Sequence, residues 1–364
     1  MNVRDSEFVM GLMLENGFAK AGSISGADVI LFNSCAVRKH AEDRLFSNIA
    51  DLAGLKKKRP DIVIGLMGCV AQERAEKILE ISPLVDIVCG PGNEDELPVI
   101  VKEVLKNRCP IIACDKVNDK RPERHPKYRE DNLKAYISIS EGCGNFCSYC
   151  VVPYVRGRER SRDACEIIKE AKDLASRGFE DITLLGQNVN SYKNAGRRSD
   201  FVRLLEEMNK IEGIERIRFM TSHPKDASVR LFEAMAGLDK VYKHLHLPLQ
   251  SGSDRILRLM NRGYTAARYL KLADAFRKIV PGGRLTTDII VGFPGESKKD
   301  FAATKAMLKK IGFDAAYIFK YSPRPPAKSS AMPDDVPQKE KEVRHNELLA
   351  FQIALSKTRK GGDA

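Results

Sequence analysis

The sequence contains no apolar run of about 18 residues, so it predicts no transmembrane helix. Its N-terminus, MNVRDSEFVM, lacks the basic and then apolar pattern of a secretory signal. No solenoid repeat and no low-complexity tract is found along the chain. These absences favour a cytoplasmic globular protein, and a length of 364 residues predicts two or three domains with cores of their own.

A disulfide framework is not expected either. The nine cysteines are an odd number in a chain without an export signal, which makes metal or redox chemistry the better use of the thiols. Negative charge is also in short supply, because the formal net charge is +12 at pH 7. This excess favours an acidic partner such as nucleic acid, although a solvated basic surface would explain it equally well.

Helical and strand patterns alternate from residue 5 to about residue 108. The strand candidates ADVILFNSC, DIVIGLMGC and VDIVCGP are short, rich in valine and isoleucine, and apolar on both faces. Such strands are typical of a parallel sheet that is covered by helices on both sides. We therefore expect residues 1–115 to form a small doubly wound α/β domain.

Residues 116–132 are charged, contain two prolines and show no apolar period, so they predict a linker. The alternation then restarts, and residues 133–364 form the second predicted domain, which ends in a long helix. It contains six strand candidates, at 135–140, 182–187, 216–221, 244–250, 285–293 and 315–322. Six β/α units predict an open, partial TIM barrel with parallel strands, because a closed barrel requires eight.

Three cysteines, Cys143, Cys147 and Cys150, directly follow the first strand of the second domain. Their loop is expected at the C-terminal end of a parallel strand, where barrels build their active sites. Three thiolates can ligate three irons of a four-iron, four-sulfur cluster and leave one iron open to a substrate or cofactor. The alternative is a zinc site that is completed by His223 or Cys165.

The loops after the next strands are small, polar and rich in glycine, and they are expected at the same rim. Backbone amides can approach a nucleotide closely at such turns. Gln187, Ser222 and Gln250 of these segments, together with Asp288 of the strand candidate at 285–293, are the candidate cofactor-binding residues.

A second set of cysteines lies in the first domain. Cys35 and Cys69 end two successive strand candidates, so both thiols should project from the same edge of the sheet, where open α/β sheets bind ligands. Cys89 ends a third strand in the same way, but a buried structural cysteine is the better interpretation there.

The spacing Cys-x3-Cys-x2-Cys resembles that of the radical S-adenosylmethionine (SAM) enzymes. Longer stretches resemble the methylthiotransferase family of these enzymes, among them NSCAVRKHAEDR, GLMGCVAQE, EGCGNFCSYCVVPYVRGRERSR, HLPLQSGSDRILRLMNRGYT and TDIIVGFPGE. The resemblance runs from residue 1 to about residue 355 and is strongest to the MiaB branch, which methylthiolates isopentenyladenosine in tRNA. Branches that modify threonylcarbamoyladenosine or a ribosomal-protein aspartate are the alternatives within the family.

The resemblance implies two four-iron clusters. Cys143, Cys147 and Cys150 would hold the cluster that binds SAM, while Cys35 and Cys69 would be two of three ligands of an auxiliary cluster. The family pattern puts the third auxiliary ligand ahead of Met1, and its small RNA-binding TRAM domain after the terminal helix, so both are missing from the sequence as given. No side chain is expected to be catalytic, because the reactive radical comes from the cofactor.

The resemblance also implies partners: the anticodon loop of tRNA and an electron donor such as flavodoxin or ferredoxin, with no membrane and with the protein as a monomer. Basic segments at 56–59, 121–129 and 156–160 offer phosphate contacts, although an ordinary solvated surface is the better explanation of each one by itself. Arg156 and Arg158 are the strongest candidates because they follow the cysteine loop. A non-catalytic, zinc-containing RNA-binding protein is the alternative from another class.

Overall fold

The structure is a computed structural model that describes residues 1–36, 39–115, 125–194 and 199–360. Much of the expected linker, and part of the basic segment at 121–129, lie outside the described residues. The chain divides into two compact units. The first comprises Met1–Asp131, Glu141–Gly144 and Val151–Arg160, and the second comprises Asn132–Ser140, Asn145–Cys150 and Ser161–Ala364. None of the described helices has the length and apolar character that crossing a membrane requires.

The first unit is an α/β sandwich. Its elements are α1 (Asn2–Glu15), β1 (Val29–Ser34), α2 (Lys39–Ala50), α3 (Ala53–Lys58), β2 (Val63–Gly68), α4 (Cys69–Ile81), β3 (Ile87–Cys89), a 3-10 turn (Glu94–Glu96), α5 (Leu97–Asn107), β4 (Ile111–Ala113) and, further along the chain, α6 (Val152–Val155). The four strands form one parallel sheet in the order β1-β2-β3-β4.

Helices cover both faces of this sheet. Along β2, Ile64 and Leu66 pack in a cluster with α2 and α4, whereas Val63 and Met67 pack in another with α1 and α5. This alternation follows from the period of two in a strand, whose successive side chains point to opposite faces. The expected doubly wound domain is confirmed.

Two details of the first unit differ from the sequence-based expectation. The short strand β4 was not predicted, because three residues next to a proline carry almost no periodic signal. The helix expected across AEDRLFSNIADLAGLKKK is divided into α2 and α3. The chain tightens between them, where the Leu52 N–H donates to the Ile49 carbonyl.

The second unit is an array of strands and helices in regular alternation. Its elements are β5 (Lys134–Ser138), α7 (Ala164–Ser176), β8 (Asp181–Leu185), a 3-10 turn (Val189–Ser191), β9 (Lys193–Asn194), β10 (Ser199–Asp200), α8 (Phe201–Asn209), β11 (Arg216–Phe219), α9 (Val229–Gly237), β12 (His244–His246), α10 (Asp254–Leu259), α11 (Ala266–Ile279), β13 (Arg284–Val291), α12 (Lys298–Ile311), β14 (Ala315–Lys320), a 3-10 turn (Lys328–Ala331) and α13 (Gln338–Lys360). The two-residue strands β6 (Ser140–Glu141) and β7 (Arg160–Ser161) each include one residue of either unit.

Six parallel strands follow one another in chain order. Two three-stranded sheets contain β5, β8 and β11, and β12, β13 and β14. A parallel bridge between Ile217 and Val241 connects β11 with the residues that lead into β12. The six strand candidates and the partial-barrel fold class are thus confirmed.

The helices of the second unit begin at side chains that cap their first turn. Each of six N-cap residues accepts a hydrogen bond from a backbone N–H of its own helix: Asp163, Asp200, Ser228, Ser253, Thr265 and Ser297. Because these caps are encoded locally, they fix where each loop ends and its helix starts. The loops that lead into these helices are therefore fixed at the end where the helix begins.

Candidate metal centre and cofactor loops

The three-cysteine loop is held by backbone hydrogen bonds. The Cys143 N–H donates to the Gly157 carbonyl at 3.1 Å, and the Cys150 N–H donates to the Cys147 carbonyl at 2.9 Å. Gly142 has a φ of +74°, and a Cβ there would lie 2.2 Å from the Arg158 carbonyl oxygen, so only glycine fits. Cys147 is buried, and the other two cysteines are partly exposed.

The second half of the loop is tied to the segment between α10 and α11. The Ser148 N–H donates to the Met260 carbonyl at 3.0 Å, and its hydroxyl donates to the Leu259 carbonyl at 2.8 Å. The Asn261 amide donates to the Phe146 carbonyl at 3.0 Å. Phe146 itself has a left-handed φ of +46°, which the surrounding bonds maintain. The part of the loop that belongs to the second unit, Asn145–Cys150, is thus held in place by protein contacts.

A buried arginine contacts one of the three thiols. Arg262 donates from Nη1 to Cys147 Sγ at 3.3 Å and from Nη2 to the Pro248 carbonyl at 2.9 Å. His223 contacts the same thiol, with its Nε2 4.0 Å from the Cys147 sulfur. Burial, together with the nearby Arg262 charge, lowers the pKa of His223 to about 2. Sequence reasoning did not single out Arg262, whose one signal was its position in the stretch MNRGYT.

Side-chain oxygens that lack hydrogen-bond partners gather at the ends of the strands in the second unit. Among the described residues, no protein group bonds to the buried Oγ of Ser140 or Ser222, or to the buried Oε1 of Gln187 or Gln250. Ser140 follows β5 as the first residue of β6, Gln187 follows β8, Ser222 follows β11 and Gln250 follows β12. Because buried polar atoms are nearly always bonded, these oxygens fit a polar ligand, and three of the four residues are the candidates predicted from sequence.

Asp288, the fourth candidate, lies in the middle of β13 rather than in a loop. Its carboxylate is 3.3 Å from His246 Nε2, and the Nδ1 of His246 is 3.0 Å from the Thr286 hydroxyl. Asp288 therefore has a partner on the neighbouring strand.

The two candidate auxiliary cysteines directly follow adjacent strands. Ser34, the last residue of β1, pairs with Gly68, the last residue of β2, so Cys35 and Cys69 are the first residues beyond two neighbouring parallel strands. Gly68 has a φ of +92°, and a Cβ there would lie 2.8 Å from the Ser34 carbonyl oxygen. Glycine thus permits the close approach of the strands just before Cys69. The expectation that both thiols lie at one edge agrees with this register.

Arg156 is enclosed within the first unit. It is only 7% exposed, and it donates from Nε to Cys69 Sγ at 3.1 Å and from Nη2 to the Asp5 carboxylate at 2.7 Å. Burial raises the pKa of the Cys69 thiol, and the Arg156 charge opposes that shift. A guanidinium with these partners cannot reach a phosphate, which argues against the expected RNA contact at Arg156. Arg158, by contrast, is exposed.

The remaining cysteines give the zinc alternative no support. Cys165 is exposed near the start of α7, and Cys89 is buried in the apolar cluster between the sheet and α1 and α5. Within the described ranges, no three histidine, cysteine or carboxylate side chains converge as ligands of a single metal ion. The ligands of a four-iron cube bind different irons, so they do not need to converge on one point.

Two family models match the chain. The model described as "Radical SAM superfamily" covers residues 137–308, which include the three-cysteine loop, the end of β5 and the whole of β8, β11, β12 and β13. The model described as "Uncharacterized protein family UPF0004" covers residues 1–90, which include Cys35 and Cys69. Fold and cysteine loop together define a radical SAM protein with an additional N-terminal α/β domain.

Curated relatives narrow the class. A protein from Caldicellulosiruptor saccharolyticus named tRNA-2-methylthio-N(6)-dimethylallyladenosine synthase is 47% identical over 98% of this chain and 77% of its own length. A protein of the same name from Syntrophomonas wolfei is 46% identical over 98% of this chain and 80% of its own length. The chain therefore belongs to the tRNA-2-methylthio-N(6)-dimethylallyladenosine synthase family of radical SAM proteins. Radical SAM membership implies a four-iron cluster and SAM as cofactors.

Solved structures agree on the fold. The radical SAM methyltransferase TsrM from Kitasatospora setae aligns with a TM-score of 0.58 at 13% identity, covering 87% of this chain and 65% of that one. The cobalamin-dependent SAM radical enzyme OxsB aligns with a TM-score of 0.52 at 14% identity, covering 84% of this chain and 45% of that one. At such low identity these alignments describe the fold alone.

Proposed function

We propose that this protein adds a methylthio group to C2 of isopentenyladenosine, next to the anticodon of tRNA, by radical SAM chemistry. The observation that carries the proposal is the three-cysteine loop at the C-terminal end of β5, in a chain 46–47% identical to tRNA-2-methylthio-N(6)-dimethylallyladenosine synthases. The chain spans 77–80% of the length of those two relatives. The similarity to them extends over 98% of the present chain.

Cys143, Cys147 and Cys150 are the proposed ligands of the SAM-binding cluster, and Gln187, Ser222, Gln250 and Asp288 the proposed contacts of SAM. The buried, unpartnered oxygens of Gln187, Ser222 and Gln250 support this assignment, because a bound cofactor would supply their missing hydrogen bonds. When bound, cluster and SAM supply a carbon-centred radical that can take hydrogen from an unactivated C–H bond.

The protein's own side chains position rather than react. The hydrogen at C2 of an adenine is not acidic enough for a general base at neutral pH, so no titrating side chain is assigned a proton-transfer role. Arg262 holds the Cys147 thiol, and the bonds of Asn261 and Ser148 hold the loop around it. These contacts keep the sulfur in place while the base is exposed to the radical.

The proposal includes an auxiliary four-iron cluster, which would supply the transferred sulfur and which Cys35 and Cys69 would hold. Their neighbouring positions at the ends of β1 and β2 support it. The expected partners are the anticodon loop of tRNA, with its base splayed out, and a small electron donor such as flavodoxin or ferredoxin. The exposed Arg158 is the proposed phosphate contact, and the protein is proposed to act as a monomer.

Anaerobic reconstitution tests the cofactor assignment. The chain should bind about four irons per cluster and produce 5′-deoxyadenosine from SAM on reduction. Cys147→Ala should abolish 5′-deoxyadenosine formation, whereas Cys165→Ala, at an exposed cysteine outside both sets, should not. A colourless protein that contains zinc and yields no 5′-deoxyadenosine would refute the enzyme assignment.

The substrate is tested in the source organism. Nucleosides from tRNA of a deletion strain should lack the 2-methylthio derivative of isopentenyladenosine, and the intact gene should restore it. Mass spectrometry also distinguishes the branches, because loss of a methylthiolated threonylcarbamoyladenosine instead would redirect the substrate assignment. Unchanged tRNA in the deletion strain would refute the tRNA proposal.

A further inference from the structure

Arg156 is anchored by the short helix that precedes it. Val151, just before α6, and Val155, the last residue of α6, are buried in the same apolar cluster as Cys69 and Val70 at the start of α4. Arg156 is the residue that directly follows α6, so the packing of this helix fixes the position of its backbone. Its side chain is therefore delivered to the start of α4 by packing, and not by a flexible loop.

The guanidinium of Arg156 bonds to two buried partners. Nε donates to Cys69 Sγ at 3.1 Å, and Nη2 donates to Asp5 Oδ2 at 2.7 Å. Asp5 is 3% exposed, so the whole arrangement is removed from water. A buried guanidinium favours negative charge on the groups it bonds, and its planar fork fixes their directions.

The position of Cys69 favours negative charge independently of Arg156. Cys69 is the first residue of α4, a helix of 13 residues, and follows the left-handed Gly68. The unpaired N–H groups and the dipole at a helix N-terminus stabilise an anionic group there. Helix and guanidinium thus act on the same sulfur from different elements of the first unit.

We propose that Arg156 is a positioning residue for the auxiliary cluster: its Nε–H holds the Cys69 sulfur as an iron ligand and raises the reduction potential of that cluster. The inference rests on the proposed function, which assigns Cys69 to the cluster. Hydrogen bonds to cluster sulfurs are among the factors that set reduction potentials, and a donor favours the more negative, reduced state. The expected RNA contact at this residue is replaced by this role.

The test uses the full chain with Cys143, Cys147 and Cys150 changed to alanine, so that only the auxiliary cluster is present. In this parent, Arg156→Met removes the donor, and Arg156→Met with Asp5→Asn removes it without leaving a buried carboxylate unpaired. Arg156→Lys keeps the charge but cannot bond both partners in the same fork. Arg129→Met is the matched control, because it removes a buried arginine that pairs with Glu7 at 3.0 Å. This substitution is expected to leave the cluster unchanged.

Two measurements follow anaerobic reconstitution: the midpoint potential, by redox titration with paramagnetic resonance, and the rate of iron loss to a chelator. Both methionine variants at position 156 should have a lower potential and lose iron about 10-fold faster, as for other partners of metal ligands. The lysine variant should fall between them and the parent.

Parental potential and iron loss in the double variant would overturn the proposal, as would equal changes in the Arg129 control. Circular dichroism establishes whether each variant is folded. If Arg156→Met alone does not fold, the variant that also carries Asp5→Asn and the Arg156→Lys variant still decide the test. A parent that binds no cluster at all would instead overturn the auxiliary site, and with it this inference.

Discussion

Replacing Gly252 with alanine should destabilise the second unit. Gly252 lies in the buried loop between β12 and α10, and a Cβ there would lie 2.6 Å from both the Ala303 carbonyl oxygen and the Thr304 Cα. These are backbone atoms of α12, so they cannot rotate away as a side chain would. The same change at Gly237, the last residue of α9, meets nothing within 4 Å.

The contacts give the size of the effect. Forcing one methyl group into a packed site costs about 1–3 kcal/mol. Moving the loop also weakens the bond from the Gly252 N–H to the Thr304 hydroxyl at 2.9 Å, which contributes about 1 kcal/mol. Gly237→Ala should instead stabilise by about 0.4–1 kcal/mol, because alanine restricts the unfolded chain. The two variants should therefore differ by roughly 3 kcal/mol in the free energy of unfolding.

Urea denaturation followed by circular dichroism measures this difference. Calorimetric titration of the reconstituted proteins with SAM is the second assay. Because Gln250 lies two residues before Gly252, a displaced loop should also weaken SAM binding, while Gly237→Ala should leave it unchanged. A Gly252→Ala protein with the parental urea midpoint and SAM affinity would refute the reasoning, since the steric conflict would then cost nothing.

Two further changes probe charged groups. Asp300 accepts bonds from Ser253 at 2.5 Å and from Arg255, and although burial opposes the shift, these bonds hold its pKa below the ordinary value. The stability that the ionised Asp300 contributes is present above its unfolded pKa of about 4 and is lost as the pH falls toward its lower folded pKa. Asp300→Asn should therefore lower the free energy of unfolding, measured with urea, by about 1–3 kcal/mol at about pH 7 and by less at about pH 3. An equal cost at both values would contradict this sign. Arg262→Met should make the cluster at Cys147 lose iron to a chelator about 10-fold faster, and unchanged iron retention would contradict the contact.

The strands were predictable because their signal is local. Runs such as LTTDIIVGF (285–293) are rich in apolar and β-branched residues and bounded by glycine or proline, and β13 (Arg284–Val291) overlaps that run in all but its first residue. The same reasoning put Cys35 and Cys69 at the ends of two strands, and the register of β1 with β2 makes them neighbours. The strand β4 was not predicted, because three residues are too few to show a periodic pattern.

The arginines on the thiols could not be predicted in this way. Arg156 is 87 residues from Cys69 in sequence, and Arg262 is 115 residues from Cys147. Such pairs form only when the fold is complete, and no pattern within one element encodes them. Composition even misled the interpretation of Arg156: a basic run suggested a surface, whereas the packing of α6 turns this one side chain inward.

The surroundings of Arg262 show what the buried arginine requires. It is 4% exposed, and its described hydrogen-bond partners are the Cys147 sulfur, the Tyr149 and Tyr264 hydroxyls and the Pro248 carbonyl, with no carboxylate among them. Burying a cation without a counter-charge is costly, and neutral partners offset only part of that cost. In the proposed site, the Cys147 sulfur would carry the missing negative charge as an iron ligand. We therefore expect cluster assembly to stabilise the second unit beyond the iron–sulfur bonds themselves, which urea denaturation before and after reconstitution would measure.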